Sequence, residues 1–217
     1  MITDSDNISK EDPILTAHNV YKSFGRNPVL RGISMELTRG KLYGITGENG
    51  SGKTTVLNIL AGFWKADKGD IKITCKVGFC PQEPYLFSNL TVKENINLFS
   101  YAYGLNKKLC QKDLSERKRM LFETFNFSGN EEKIFSELSE GTKQKLNLII
   151  SLLHDPDLLL LDEPYSALDW DTYQRFWNFS GKLKEQGKTI LIVCHLIYDR
   201  SRMDKIWGIN NGILVCS

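Results

Sequence analysis

Residues 47–55 read Gly-Glu-Asn-Gly-Ser-Gly-Lys-Thr-Thr, a glycine-rich run that closes on a lysine and two threonines. It fills the pattern G-x-x-x-x-G-K-[ST] in full and adds a further glycine at Gly50. Gly47, Gly50 and Gly52 let backbone N–H groups turn inward around phosphate oxygens, and Asn49 and Ser51 lie within the same cradle. A helix opening here adds the positive end of its dipole. Lys53 is then expected to reach the β- and γ-phosphates and Thr54 to ligate Mg²⁺, with Thr55 beside them in the nucleotide site. Such a loop needs a strand before it and a helix after it, and Lys41–Thr46 and Thr55–Trp64 read as these. A turn that carries a lysine by coincidence would explain neither the full match nor its context. The expected ligand is a nucleoside triphosphate.

Other residues extend the chemistry. Leu158–Leu161 is a continuous apolar run that ends in Asp162 and Glu163. A carboxylate at the C-terminal edge of a buried strand can hold Mg²⁺, which is the role expected of Asp162. Glu163, next along, is suited to polarise an attacking water. Leu138-Ser139-Glu140-Gly141-Thr142 precedes an amphipathic segment, Lys143–Leu153. Ser139 is a natural N-cap and Gly141 exposes backbone N–H groups, so this helix start reads as a second phosphate-binding surface. His195 follows the apolar run Thr189–Cys194 and could donate to a phosphate oxygen; His18 and His154 have no such companions and read as ordinary.

The elements that must position these groups alternate strand and helix. Ile14–Val20, Val29–Leu37, Asp70–Thr74 and Lys76–Cys80 read as strands, the second alternating Ile33, Met35 and Leu37 with polar neighbours. Lys205–Ile209 and Ile213–Cys216 flank Asn210-Asn211-Gly212, a good hairpin turn. With helical segments between, the pattern is an α/β sheet with crossover helices. From Thr91 to about Leu138 the chain turns helical and charged, opening with Thr91 as N-cap and Glu94 completing a capping box. Lys112, Arg117, Lys118 and Arg119 are interleaved with Asp113, Glu116 and Glu123, which reads as a solvated face of mixed charge and not a nucleic-acid surface.

Composition narrows the class. At 217 residues and 41% hydrophobic content the chain can bury a core as one domain, and a net charge of +2 makes no case for nucleic acid. The five cysteines, Cys75, Cys80, Cys110, Cys194 and Cys216, form no C-x-x-C pair, so a reduced, cytosolic protein is expected. Residues 1–12 are polar and acidic, a loose tail and not a signal peptide. No apolar run approaches the ~20 residues that span a bilayer, so a membrane role is expected through a partner.

In order along the chain these motifs resemble those of an ATP-binding cassette (ABC) ATPase, the nucleotide-binding subunit of an ABC transporter, most like the drug-resistance and peptide exporter type. The resemblance runs from about Ile14: Walker A at Gly47–Thr55, glutamine loop at Gln82, signature at Leu138–Thr142, Walker B at Leu158–Asp162 with Glu163, the Ser166-Ala167-Leu168-Asp169 loop, and His195. It implies a P-loop NTPase core with a mixed sheet, an N-terminal antiparallel β subdomain and an inserted α-helical subdomain at about 91–138, all one ABC ATPase domain over 1–217. ATP and Mg²⁺ are the implied cofactors. Phe24 would stack on adenine, with Tyr21 as the other choice. Gln82 would touch Mg²⁺ or the lytic water and sense a membrane partner. Lys53, Glu163 and His195 would complete catalysis. Two cassettes, here two copies, would pack head to tail, so that Ser139 and Gly141 act on the partner's ATP and Asp169 lies at the same junction. The other implied partner is a separately encoded integral membrane permease, which would hold the chain on the inner face of the cell membrane. Leu90–Asn95 and Tyr101–Leu105 resemble the helical subdomain of the exporter type, and no regulatory extension is expected after the last hairpin.

The signature departs from the usual L-S-G-G-Q at Glu140 and Thr142, and Cys194 and Leu196 are not the usual neighbours of His195. Glu140 brings negative charge toward a triphosphate unless it turns to solvent. Two alternatives stay open: a soluble, non-transport cassette ATPase, and a binding-only cassette that supports an active partner in a heterodimer.

Overall fold

The computed structural model describes residues 13–105, 111–194 and 197–216. They divide into two compact units: one of the described residues up to Cys75 with those from Leu183 onward, the other Lys76–Lys182.

In the first unit, β1 (Pro13–Phe24), β2 (Asn27–Thr38) and β4 (Lys68–Ile73) form an antiparallel sheet in the order β2-β1-β4. Ile33, Met35 and Leu37 are buried while Ser34 and Glu36 are exposed, the period-2 alternation of a strand with one dry face. β1 runs four residues beyond the apolar stretch expected for it, because Tyr21–Phe24 stay paired with β2 where their own side chains are too polar or exposed to signal burial. A second, mixed sheet has β3 (Leu42–Thr46) between β7 (Thr189–Val193) and β8 (Lys205–Asn210), both parallel to it, with β9 (Ile213–Cys216) antiparallel to β8. Every residue of β7 is buried, as a parallel strand covered on both faces requires. The β8–β9 turn has Asn211 and Gly212 at φ 48° and 75°, the left-handed pair that a two-residue hairpin favours.

Between β3 and β4 lies helix α1 (Lys53–Leu60). It starts two residues earlier and stops four residues sooner than the apolar pattern alone predicts. Gly62 at φ 80° ends it, and the N–H groups of Phe63 and Trp64 both return to the Asn58 carbonyl.

In the second unit, β5 (Val77–Cys80) and β6 (Leu158–Asp162) pair in parallel. Its helices are α2 (Val92–Ala102), α3 (Gln111–Thr124), α4 (Glu140–Leu152) and most of α5 (Trp170–Glu185). The Thr91/Glu94 capping box is present in both directions: Glu94 N–H reaches Thr91 Oγ1 at 3.2 Å, and Thr91 N–H reaches Glu94 Oε2 at 2.8 Å. On α3 the pairs Lys112–Glu116 and Arg119–Glu123 lie at 4.0 and 3.9 Å on exposed positions, the mixed-charge face expected there. Arg117 behaves differently. Its guanidinium donates to the carbonyls of Leu152 and Leu153 at 2.7 and 2.9 Å and to Asp155, covering orphan carbonyls at the C-terminus of α4. Cys80 is fully buried, and burial first, with Asp162 second, pushes its thiol well above the ordinary value, so it acts as a small apolar side chain.

Candidate functional site

The glycine-rich loop leaves the end of β3 and enters α1 within the first unit. Gly47 has φ 152°, and a Cβ there would lie 2.5 Å from the Ile209 carbonyl oxygen and 2.9 Å from Ser51 Oγ, so only glycine fits. Ser51 N–H bonds back to the Glu48 carbonyl at 3.2 Å, curling the loop. Inside that curl Lys53 Nζ donates to the carbonyls of Gly47 and Glu48 at 2.9 and 2.8 Å, and the lysine is 6% exposed. α1 opens on Gly52 with no side-chain cap, the kind of helix start that suits an anion. Ser51 Oγ is buried and has no hydrogen-bond partner among the described residues. An uncapped helix start, a buried hydroxyl and an enclosed ammonium together suit phosphate oxygens. Asn49, Gly50 and Thr54 are exposed, and Thr55 is buried. A cavity of about 490 Å³ adjoins the loop, lined by Gly47–Ser51, Asn27, Val29, Arg31 and the Ile209–Gly212 turn among others. Phe24 does not line it; at 44% exposure it stands at the end of β1, and Tyr21 lies over Gly32 instead.

In the second unit, β6 delivers Asp162 and Glu163. Asp162 is 0% exposed, and Glu163 follows at φ 49°, a left-handed conformation unusual for a glutamate and of the kind that collects at functional sites. Gln82 Nε2 lies 3.4 Å from Glu163 Oε2, so the glutamine-loop residue and the strand-end carboxylate are brought together. Both flanking backbones are held from α4. Asn147 donates to the Pro81 carbonyl at 2.7 Å and Gln144 to the Pro164 carbonyl at 3.0 Å, both from buried positions. The sequence reading missed these two residues; polar side chains three apart on the dry face of an amphipathic helix were the signal available.

Ser139 caps α4 as expected, its Oγ accepting from Thr142 N–H at 3.3 Å. Thr142 Oγ1 lies 2.8 Å from Ser139 Oγ, and Glu140 is paired with Lys143 at 2.8 Å. A Cβ on Gly141 would come within 2.7 Å of the Ala167 carbonyl oxygen, so glycine here permits the close approach of the Ser166–Asp169 loop. Asp169 accepts from Thr172 N–H at 2.8 Å and Thr172 Oγ1 at 2.9 Å and pairs with Lys145 at 3.1 Å. The Thr172 backbone bond, the largest influence, together with the Thr172 hydroxyl and Lys145 outweighs the opposing burial cost and holds its carboxyl down at about 2. His195 lies outside the described residues. Among the described residues no three His, Cys, Asp or Glu side chains gather as a metal site, and no helix is long and apolar enough to cross a membrane.

A family model described as ABC transporter matches residues 30–166. The chain is 33% identical over 202 residues to an uncharacterized ABC transporter ATP-binding protein of Methanocaldococcus jannaschii, covering 92% of this chain and 75% of that one. It is 32% identical over 215 residues to the Nod factor export ATP-binding protein I of Ralstonia nicotianae, covering 92% of this chain and 65% of that one. Among solved structures, an ATP-binding cassette of an ABC transporter in its ADP conformation aligns with a TM-score of 0.76 at 26% identity, over 94% of this chain and 90% of that one. With its phosphate-binding loop, mixed sheet and N-terminal antiparallel sheet, this chain belongs to the ABC transporter family, as an ATP-binding subunit and ATPase.

Proposed function

We propose that the chain is the motor of an ABC exporter: one of two like cassettes that close on ATP, docked on an integral membrane permease at the inner face of the cell membrane. The 91–138 region is the inserted helical subdomain of this single-domain motor. Lys53 and the N–H groups of Gly47–Thr55 hold the β- and γ-phosphates, and Phe24 stacks on the base. Thr54, Asp162 and Gln82 hold Mg²⁺; oxygen donors of this kind suit a hard cation that also takes phosphate oxygens. When bound, the ion would supply charge neutralisation to the phosphate oxygens. Glu163 orients and polarises the attacking water, and His195 donates to the γ-phosphate. Ser139 and Gly141, at the exposed start of α4, meet the nucleotide held by the second copy.

The hydrolytic assignment is carried by Glu163, held in a left-handed conformation at the end of a fully buried strand with Gln82 beside it at 3.4 Å. The exporter direction is supported by the Nod factor export protein among the relatives and by the exporter-like helical segments. Glu163→Gln keeps the shape of the side chain and removes its basicity. ATPase activity of the purified chain is expected to fall by about 10²–10⁴, or roughly 3–5 kcal/mol of barrier, with ATP binding retained. Equal turnover by variant and wild type would remove Glu163 from the mechanism. Copurification of a membrane subunit, in place of ribosomes or nucleic acid, distinguishes the transport role from that of a soluble cassette.

A further inference from the structure

β1 ends in an aromatic corner built from two separate stretches of chain. Phe24, its last residue, meets Trp64 edge to face, with ring centroids 5.1 Å apart and planes at 76°. Neither ring belongs to the core: Phe24 is 44% exposed and Trp64 38%. Trp64 follows the end of α1, the helix that the phosphate-binding loop opens. Its N–H returns to the Asn58 carbonyl at 3.2 Å, and Asn58 Nδ2 bonds in turn to the Thr54 carbonyl at 2.8 Å. The position of Trp64 is therefore tied to the helix that begins at Lys53.

A second set of contacts closes the corner from the strand side. Lys22 Nζ stands 5.5 Å from the centre of the Phe24 ring and is itself held by Asp67 Oδ1 at 2.9 Å and the Lys65 carbonyl at 2.8 Å. The other oxygen of Asp67 accepts from Ser23 N–H at 2.7 Å, and Asp67 N–H donates to the Tyr21 carbonyl at 2.9 Å. Residues 21–24 and 64–67 are thus stitched together around two exposed rings. An exposed aromatic at a strand end has several rotamers open to it, and each must be given up when a ligand stacks on it. A neighbouring ring in edge contact removes that freedom beforehand.

We propose that Trp64 is a positioning residue for the nucleotide base: its edge contact presets the Phe24 ring as a platform, with the Lys22–Asp67 pair as the brace. The inference rests on the reading of Phe24 as the base-stacking residue. Calorimetric titration of the full chain with ADP and, separately, with inorganic triphosphate tests both. Trp64→Ala should weaken ADP about 3- to 10-fold, in line with the worth of an edge-to-face aromatic contact. It should leave inorganic triphosphate binding unchanged, and Trp64→Phe should retain most of the ADP affinity. Phe24→Ala should weaken ADP at least as much as Trp64→Ala. Unchanged ADP affinity in Trp64→Ala overturns the proposal, as does an equal loss for both ligands, which would make Trp64 a support of the loop. If instead Phe24→Ala binds ADP like wild type, the base-stacking reading itself falls.

Discussion

Glu140 sets a carboxylate at the head of the helix whose Ser139 and Gly141 are proposed to meet a triphosphate, and Lys143 Nζ answers it at 2.8 Å. A carboxylate in the first turn suits the helix dipole, and the lysine also lies 5.8 Å from the Phe135 ring, so the charge is compensated within one turn. With Glu140 at 77% exposure the pair adds little to folding. Its effect belongs to nucleotide handling, where an uncompensated charge at contact distance in a watery dielectric amounts to about 1 kcal/mol, roughly a fivefold effect. Lys143→Ala is expected to lower ATPase activity by that order with the melting temperature unchanged, and Glu140→Gln added to it should restore the rate. A double variant no faster than the single one would mean that compensation is not what Lys143 does. The sequence names Glu140 as the troubling residue but hides its partner. The apolar periodicity begins only at Lys143, so the i,i+3 relation appears once Ser139 caps a helix that starts at Glu140.

Asp169 is where one element begins and another is anchored. Its side chain caps α5 through Thr172 and reaches Lys145 on α4, so the Ser166–Asp169 loop is held at its end by a charge and at Ala167 by the close approach to Gly141. Asp169→Ala should cost about 1–2 kcal/mol in urea unfolding at neutral pH, the worth of a good N-cap. The folded-state pKa is depressed, so this contribution is complete above the ordinary carboxylate value near 3.8 and is lost as pH falls through about 2. The gap between wild type and variant should therefore be constant from pH 7 to 5 and narrow below 4; a gap that widens in acid would contradict the cap. Other element ends show what local pattern can reveal. The capping box at Thr91 and the Asn211-Gly212 turn were readable because their residue types are specific to those geometries. The early stop of α1 at Leu60 and the extension of β1 to Phe24 were not, since a positive φ at Gly62 and a cross-strand partner at Asn27 decide them.

For the whole molecule, the class of fold was legible and the pairing of its parallel strands was not. Apolar runs at Leu158–Leu161 and Thr189–Cys194 announce buried parallel strands, yet no local feature says that β3 lies between β7 and β8, strands more than 140 residues further along the chain. Parallel neighbours are chosen by crossovers and not by adjacent residues. The phosphate loop was legible because one short run carries all of its chemistry. The Gln82–Glu163 contact needed the fold, because 81 residues separate the two. A surface that acts on a second copy leaves a mark only in its exposed residues, and Ser139 at the head of α4 is such a residue. If ATP is gripped jointly by two copies, mass action makes nucleotide a dimerising ligand, and hydrolysis is what releases the pair. Glu163→Gln with saturating ATP and Mg²⁺ should then accumulate at twice the monomer mass by light scattering, while wild type drifts back to monomer as ATP is consumed. Adding Ser139→Arg to Glu163→Gln should return the mass to that of one chain while ATP still binds: the arginine obstructs the surface offered to the other copy, and the cap it removes from α4 is no part of the glycine-rich loop. A Glu163→Gln protein that stays monomeric with ATP bound would rule out closure by paired cassettes. A dimer indifferent to Ser139→Arg would move the interface away from the start of α4.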